Sequence, residues 1–340
     1  MSTREWSLID LFEMGDAASS LLAAHRSGLL AALLAGPGRP ADLAASLGLD
    51  ERATRLVLNV LLVYGAVEAD GHEFRASSEL SRVDRDHPGA VGTDLDLFDH
   101  VPAFLRTGKP LLKVDGSERE RSQNFVQVAP RLRLLYQPAA RELASLLGPE
   151  LADGPAVLDV GAGSGVWSLA LLDTVPGTRL TAIDLPDVAG LLREHVAARE
   201  DRDRVDVIGA SYFDVVLPDR SFDVVILGNV LHLEPPARAQ RLVRLAAEAL
   251  RPGGLLVVVD ALAHPPYEVE RRRALYAMEL AMRSAAGRTY SADDIAGWAR
   301  GCGLTGLRQR ELPSIPDYVD ALTARRIAGR ERGANDRLTS

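Results

Sequence analysis

Apolar positions along the chain change their period near residue 155, and that change predicts two architectures in one polypeptide. Through residues 4–100 the leucines fall at mixed three- and four-residue spacings, among them Leu11, Leu21, Leu22, Leu29, Leu30, Leu33 and Leu34. Such spacing puts apolar side chains on one face of a helix. A short helix is expected over residues 39–48, stopped by Gly48, and another over residues 51–64 behind a capping Asp50. Residues 67–74 then alternate around Asp70-Gly71, the signal of a tight hairpin. Two short helices followed by a small hairpin predict a winged-helix-like unit.

Beyond residue 155, short apolar runs at 156–160, 179–183, 205–208, 223–227 and 255–259 alternate with helical stretches at 166–174, 187–198 and 237–250. Residues 119–150 read as helices joining the two halves. Alternation of this kind predicts an α/β fold, a Rossmann-like doubly wound parallel sheet with helices on both faces. The expected domains are residues 1–110, mostly helical, and residues 111–340, the α/β part.

Composition and charge narrow the partners. A length of 340 residues suits two domains. The single cysteine, Cys302, can form neither an internal disulfide nor a cysteine-cluster zinc site, and it points to a reducing, cytoplasmic setting. No metal is expected. The apolar stretch 21–34 is broken by His25 and Arg26 and is too short to span a bilayer, so no membrane partner is expected. Net charge is −8, and residues 1–100 hold eight arginines against sixteen acids. The second helix of the winged-helix-like pair offers only Arg52 and Arg55 as cations. DNA is therefore not the expected partner of this half, and a packing or dimerisation role is.

Candidate chemistry begins at residues 157–165, Val-Leu-Asp-Val-Gly-Ala-Gly-Ser-Gly, a buried strand entering a glycine-rich turn and a helix. Glycine lets a backbone turn sharply and approach a ligand without a Cβ in the way. The dinucleotide pattern would need glycine where Val166 stands, and no phosphate-loop lysine follows these glycines. S-adenosylmethionine carries no phosphate, and its carboxylate can use backbone N–H groups at a helix N-terminus. The next strand ends at Asp184, followed by Leu185 and Pro186. A carboxylate at that tip can accept both ribose hydroxyl protons, or serve as an ordinary helix cap. At the end of the third strand, Ser211 is placed for the adenine edge and Tyr212 and Phe213 for its faces, unless the two rings are core. The fourth strand leads into Gly228 and on to His232, at the sheet end where ligands bind in such folds.

Taken together these residues resemble the class I S-adenosylmethionine-dependent methyltransferases. More narrowly they resemble the two-domain small-molecule O-methyltransferases of plant and bacterial natural-product pathways. The similarity is carried by Leu158-Asp159-Val160-Gly161-Ala162-Gly163, Asp184-Leu185-Pro186, Arg251-Pro252-Gly253-Gly254 and Gly287-Arg288-Thr289-Tyr290-Ser291. The resemblance implies S-adenosylmethionine as methyl donor, bound by Gly161, Gly163, Asp184, Leu185, Ser211, Tyr212 and Gly228. It implies His232 as general base with Asp260 in support, and an intertwined homodimer built on the N-terminal half. Three positions depart from the family pattern: Leu233 follows the histidine where aspartate is usual, Ser211 replaces an aspartate, and Thr289, no acid, stands near the position where many plant members have a second catalytic acid. The acceptor pocket is expected to draw on Phe98, Phe104, Phe125, Tyr276, Met278 and Met282. The implied reaction is O-methylation of a small aromatic or polyketide-like acceptor. C-methylation of an activated carbon, and a non-catalytic ligand-sensing regulator, are the alternatives.

Overall fold

A computed structural model describes residues 7–86, 90–111, 117–263, 271–314 and 318–327. The chain divides into two compact units, Met1–Asp99 and His100–Ser340.

In the first unit, helices α1 (Leu8–Arg26), α2 (Leu29–Ala35), α3 (Pro40–Leu47) and α4 (Glu51–Val63) precede a hairpin of β1 (Val67–Asp70) and β2 (Glu73–Ala76). Local signals set the boundaries. Gly48 stops α3 in the left-handed region at φ 67°, and the Asp50 carboxylate accepts the Ala53 N–H at 2.7 Å to start α4. Gly38 exchanges two 2.9 Å backbone hydrogen bonds with Phe74, which gives the hairpin a third short partner. Leu29, Leu30, Leu33, Leu58, Leu61 and Val67 form the core. The remaining elements are α5 (Ser78–Asp86) and α6 (Ala90–Thr107), the latter running across the boundary between the units.

The second unit carries a seven-stranded sheet in the order β5-β4-β3-β6-β7-β9-β8. These are β3 (Ala156–Val160), β4 (Arg179–Asp184), β5 (Val205–Gly209), β6 (Phe222–Gly228), β7 (Leu250–Asp260), β8 (Leu304–Glu311) and β9 (Asp320–Arg326). Strands β3 to β7 run parallel, and β9 and β8 are antiparallel additions. The fold is thus the expected doubly wound α/β sheet behind a helical region. Three features differ from the sequence reading. The joining segment is one helix, α7 (Glu118–Leu147), continuous through Pro130 and Pro138. Strand β7 starts five residues before its apolar run, at Leu250. Strands β8 and β9 were not anticipated.

Side-chain alternation along β3 builds both faces of the core. Leu158 and Val160 pack among residues of α10 (Pro236–Ala249), and Val157 packs toward α7 and α8 (Val166–Thr174). The chain order reverses between β3 and β6, so the loops after these two strands open a crevice at their carboxyl ends.

Candidate active site

The turn after β3 is shaped by glycine. Gly161, Gly163 and Gly165 all sit in the left-handed region, at φ 71°, 56° and 70°. A Cβ on Gly161 would come within 2.7 Å of Val230, so a side chain there is both strained and obstructed. The N–H groups of Gly161 and Ala162 both donate to the Ile183 carbonyl, at 2.9 and 3.0 Å, and tie the turn to the tip of β4.

Asp184 completes that tie. Its Oδ2 accepts the Gly163 N–H and its Oδ1 the Leu185 N–H, each at 2.7 Å. The cap position of α9 (Pro186–Ala197) is Leu185, which makes no side-chain cap bond, so Asp184 is not that helix's cap. Burial pushes the Asp184 carboxyl up to about 6, against the two backbone donors and the Arg121 charge, which lower it. Each oxygen keeps one acceptor position, which matches what a ribose diol requires. Deeper in the same strand region, Asp159 is fully buried, and burial pushes it up to about 7 although Ser168 donates to its Oδ2 at 2.5 Å.

At the end of β6, Gly228 leaves room for the Trp167 ring, which a Cβ would meet at 2.3 Å. Trp167 Nε1 donates to Asn229 Oδ1 at 3.0 Å. Asn229 is one of two non-glycine residues at positive φ among the described residues, at 54°. Its buried Nδ2 has no hydrogen-bond partner in the protein, so a donor beside the glycine turn is left for a ligand.

The aromatic pair after β5 separates into two roles. Tyr212 lies beside Gly161 and donates to Glu234 Oε1 at 2.5 Å, and burial together with that carboxylate pushes its phenol far above the usual range. Phe213 is held between the guanidinium groups of Arg238 and Arg241, 4.3 and 4.6 Å from its ring centre, and so belongs to α10. Ser211 is half-buried, and its carbonyl accepts the Asp214 N–H. Glu234 was absent from the sequence reading. Burial alone raises its carboxyl, but Arg238, Tyr212 and Arg121 outweigh that and hold it below the usual range.

His232 is 6% exposed in the short turn after β6. Its Nδ1 lies 2.6 Å from Asp260 Oδ1, and its backbone N–H donates to Asp260 Oδ2 at 3.3 Å. In the neutral imidazole tautomer that donates from Nδ1 to this carboxylate, Nε2 is left as the acceptor. Strand register makes the pair: Gly228 stands opposite Val259, which brings the turn after β6 onto the last residue of β7. The missing aspartate after His232 is therefore replaced from the neighbouring strand. On the other side of the ring, the Tyr276 hydroxyl from α11 (Arg271–Arg283) lies 3.2 Å from Nε2.

Besides Tyr276, the residues expected to line the acceptor pocket differ in burial. Phe125 of α7 lies against the glycine turn, 3.0 Å from where a Cβ on Gly163 would stand, and so adjoins the cofactor loop. Met282 is 1% exposed, and Met278 and Phe104 are half-buried. The Phe98 side chain lies outside the described residues. Among the described residues no group of three His, Cys, Asp or Glu side chains is placed to hold a metal ion.

A glycine turn, an acid on the second strand tip, an unpaired amide donor and a histidine–aspartate pair stand at the carboxyl ends of the parallel strands, a donor set whose chemistry fits S-adenosylmethionine. Residues 139–305 match the family model described as the O-methyltransferase domain. The tetracenomycin polyketide synthesis 8-O-methyl transferase of Streptomyces glaucescens is 27% identical over 304 residues, covering 84% of this chain and 87% of that protein. Among solved structures, the mitomycin 7-O-methyltransferase aligns with a TM-score of 0.71 at 21% identity, over 94% of this chain and 96% of that one. Human N-acetylserotonin methyltransferase, solved with S-adenosylmethionine, aligns at 0.68 and 20% identity, over 96% and 100%. Residues 139–305 carry the O-methyltransferase domain, and these matches together support an S-adenosylmethionine-dependent O-methyltransferase.

Proposed function

We propose that this enzyme methylates a hydroxyl oxygen on a small aromatic acceptor, with His232 as general base. The observation that carries the reading is the 2.6 Å bond from His232 Nδ1 to Asp260, which leaves Nε2 as a proton acceptor with a hydroxyl already 3.2 Å away. The acceptor class is supported by the relatives, named for tetracenomycin polyketide, mitomycin and N-acetylserotonin. When bound, S-adenosylmethionine supplies an electrophilic methyl group.

The protein's own work is positional and acid–base. Holding the reactants in line supplies most of the acceleration in a reaction that needs no covalent help. Gly161, Gly163, Asp184 and Asn229 are suited to hold the donor, and Tyr212 to border it. A phenol with pKa about 10 is hardly ionised at neutral pH. His232 Nε2 takes the proton from the acceptor oxygen as the new bond forms, and the resulting imidazolium is stabilised by Asp260. The test is whether the methyl of labelled S-adenosylmethionine ends on oxygen in phenols and naphthols.

The first unit has a separate part in this reading, assembly of a homodimer, in keeping with a cytoplasmic enzyme. Leu8, Ile9, Leu11 and Phe12 of α1 are exposed, as are Leu56, Leu62, Val63 and Tyr64 on or beside α4. Apolar surface of that extent usually marks an interface. Light scattering at micromolar protein should give twice the 36.6 kDa chain mass. An active monomer would remove the dimer from the account.

A further inference from the structure

The hydroxyl on His232 Nε2 belongs to the protein itself. Tyr276 lies edge-on to the imidazole, with ring centres 5.8 Å apart and planes at 87°. Its position is built rather than incidental. Buried Arg273, one turn earlier on α11, bonds to Asp320 Oδ1 and to the Tyr318 carbonyl, each at 2.9 Å, and fastens the helix to the start of β9. Tyr318 stacks on the Tyr276 ring at 4.8 Å, and its hydroxyl lies 3.3 Å from that of Tyr136. Three phenols therefore meet behind the base.

We propose that the Tyr276 phenol occupies the acceptor's place on His232 Nε2, so that an acceptor must displace it and is selected by how strongly its own hydroxyl donates. This rests on His232 being the base. Burial and the nearby Asp260 carboxylate push the Tyr276 phenol well above its usual value, so it stays protonated and has a proton to donate to Nε2. An acceptor phenol of ordinary or greater acidity donates more strongly and wins the exchange; an aliphatic alcohol donates more weakly and loses it. The displaced hydroxyl has somewhere to go, because the Tyr136 hydroxyl is within its hydrogen-bonding reach and Tyr136 in turn meets Tyr318. Without such a partner, displacement would strand a buried polar group and oppose binding of every acceptor.

The test is acceptor affinity in the full chain, read by titration calorimetry with S-adenosylhomocysteine present, so that no proton transfer is needed. The probes are naphthol, a nitronaphthol and naphthylmethanol, in order of decreasing use of the ring's acidity as nitronaphthol, naphthol, naphthylmethanol. The change Tyr276→Phe removes one hydroxyl and keeps the ring. It is expected to tighten naphthol and naphthylmethanol by about 3- to 10-fold, the worth of one net hydrogen bond, and to narrow their gap to nitronaphthol. Unchanged or weaker affinity in a folded variant overturns the proposal, as does a fall in turnover of 100-fold order with affinity unchanged, which would make Tyr276 part of the proton transfer. The base itself is judged separately, by turnover of His232→Gln. Should that variant keep full turnover while Tyr276→Phe tightens binding, the base fails, and Tyr276 then competes with the acceptor for His232 only as a binding group.

Discussion

Replacing His232 with glutamine should lower turnover by about 100-fold or more while leaving the affinity for S-adenosylmethionine unchanged. General bases contribute roughly 10²–10⁴ in rate, and His232 is the histidine placed for the work. It is buried, its Nδ1 proton is committed to Asp260, and its Nε2 lone pair meets a hydroxyl. Glutamine fills a similar volume but cannot accept a proton at neutral pH. The loss should shrink as pH rises, since hydroxide ionises a growing share of an acceptor phenol with pKa about 10. Steady-state rates across pH, with calorimetry of the donor, check both parts. Full turnover in the variant would take the base away from His232. Lost donor affinity would instead mark the histidine as structural.

Asp184→Ala should weaken S-adenosylmethionine binding by about 1.5–3 kcal/mol, the range for hydrogen bonds to a charged group. In dissociation constant that is roughly 10- to 150-fold. Binding should also depend on pH in the wild type. The Asp184 carboxyl is raised to about 6, and only the ionised form offers acceptor positions on both oxygens. Donor affinity should therefore be full above that value and decline as pH falls through it. The alanine variant should lose that dependence along with the affinity. Calorimetry at several pH values measures it, and circular dichroism establishes that the variant is folded. Unchanged affinity in a folded Asp184→Ala protein would remove this residue from the site.

The parts of the structure that were legible in the sequence are those that local chemistry decides. The Asp50 cap and the Gly48 stop each depend on a few adjacent residues and stand where they were expected, while the hairpin turns on Gly71-His72, one residue beyond the expected Asp70-Gly71. The glycine turn and Asp184 are equally local, about twenty residues apart and joined by one strand–helix–strand unit. Residues 119–150 were read as several helices, whereas α7 is one helix, packed against α8 and α9 and continuous through its two prolines. Strands β8 and β9 carry Gly306 and several arginines, so neither shows an apolar run. Their pairing comes from the edge that β7 offers.

The base is a case between these. His232 was visible by type and position, and Asp260 only through the family resemblance, because 28 residues separate them. Their contact is a consequence of β6 lying beside β7. Glu234 was half visible, since Arg238 four residues on, in the first turn of α10, pairs with it. Its other cation, Arg121, lies 113 residues away and had no sequence signal. Phe125 was expected in the acceptor pocket, and the path of α7, which no local signal foretold, lays its ring on Gly163.

The most direct measurement is the position of the transferred methyl. The wild-type enzyme is incubated with S-adenosylmethionine carrying carbon-13 in its methyl group and a panel of phenols and naphthols, and the products are read by carbon NMR. A base whose Nε2 waits for a hydroxyl proton predicts the labelled carbon as a methoxy group, with no transfer to the same arenes once their hydroxyls are already etherified. Label on a ring carbon, or transfer that persists after the hydroxyls are blocked, would contradict the account.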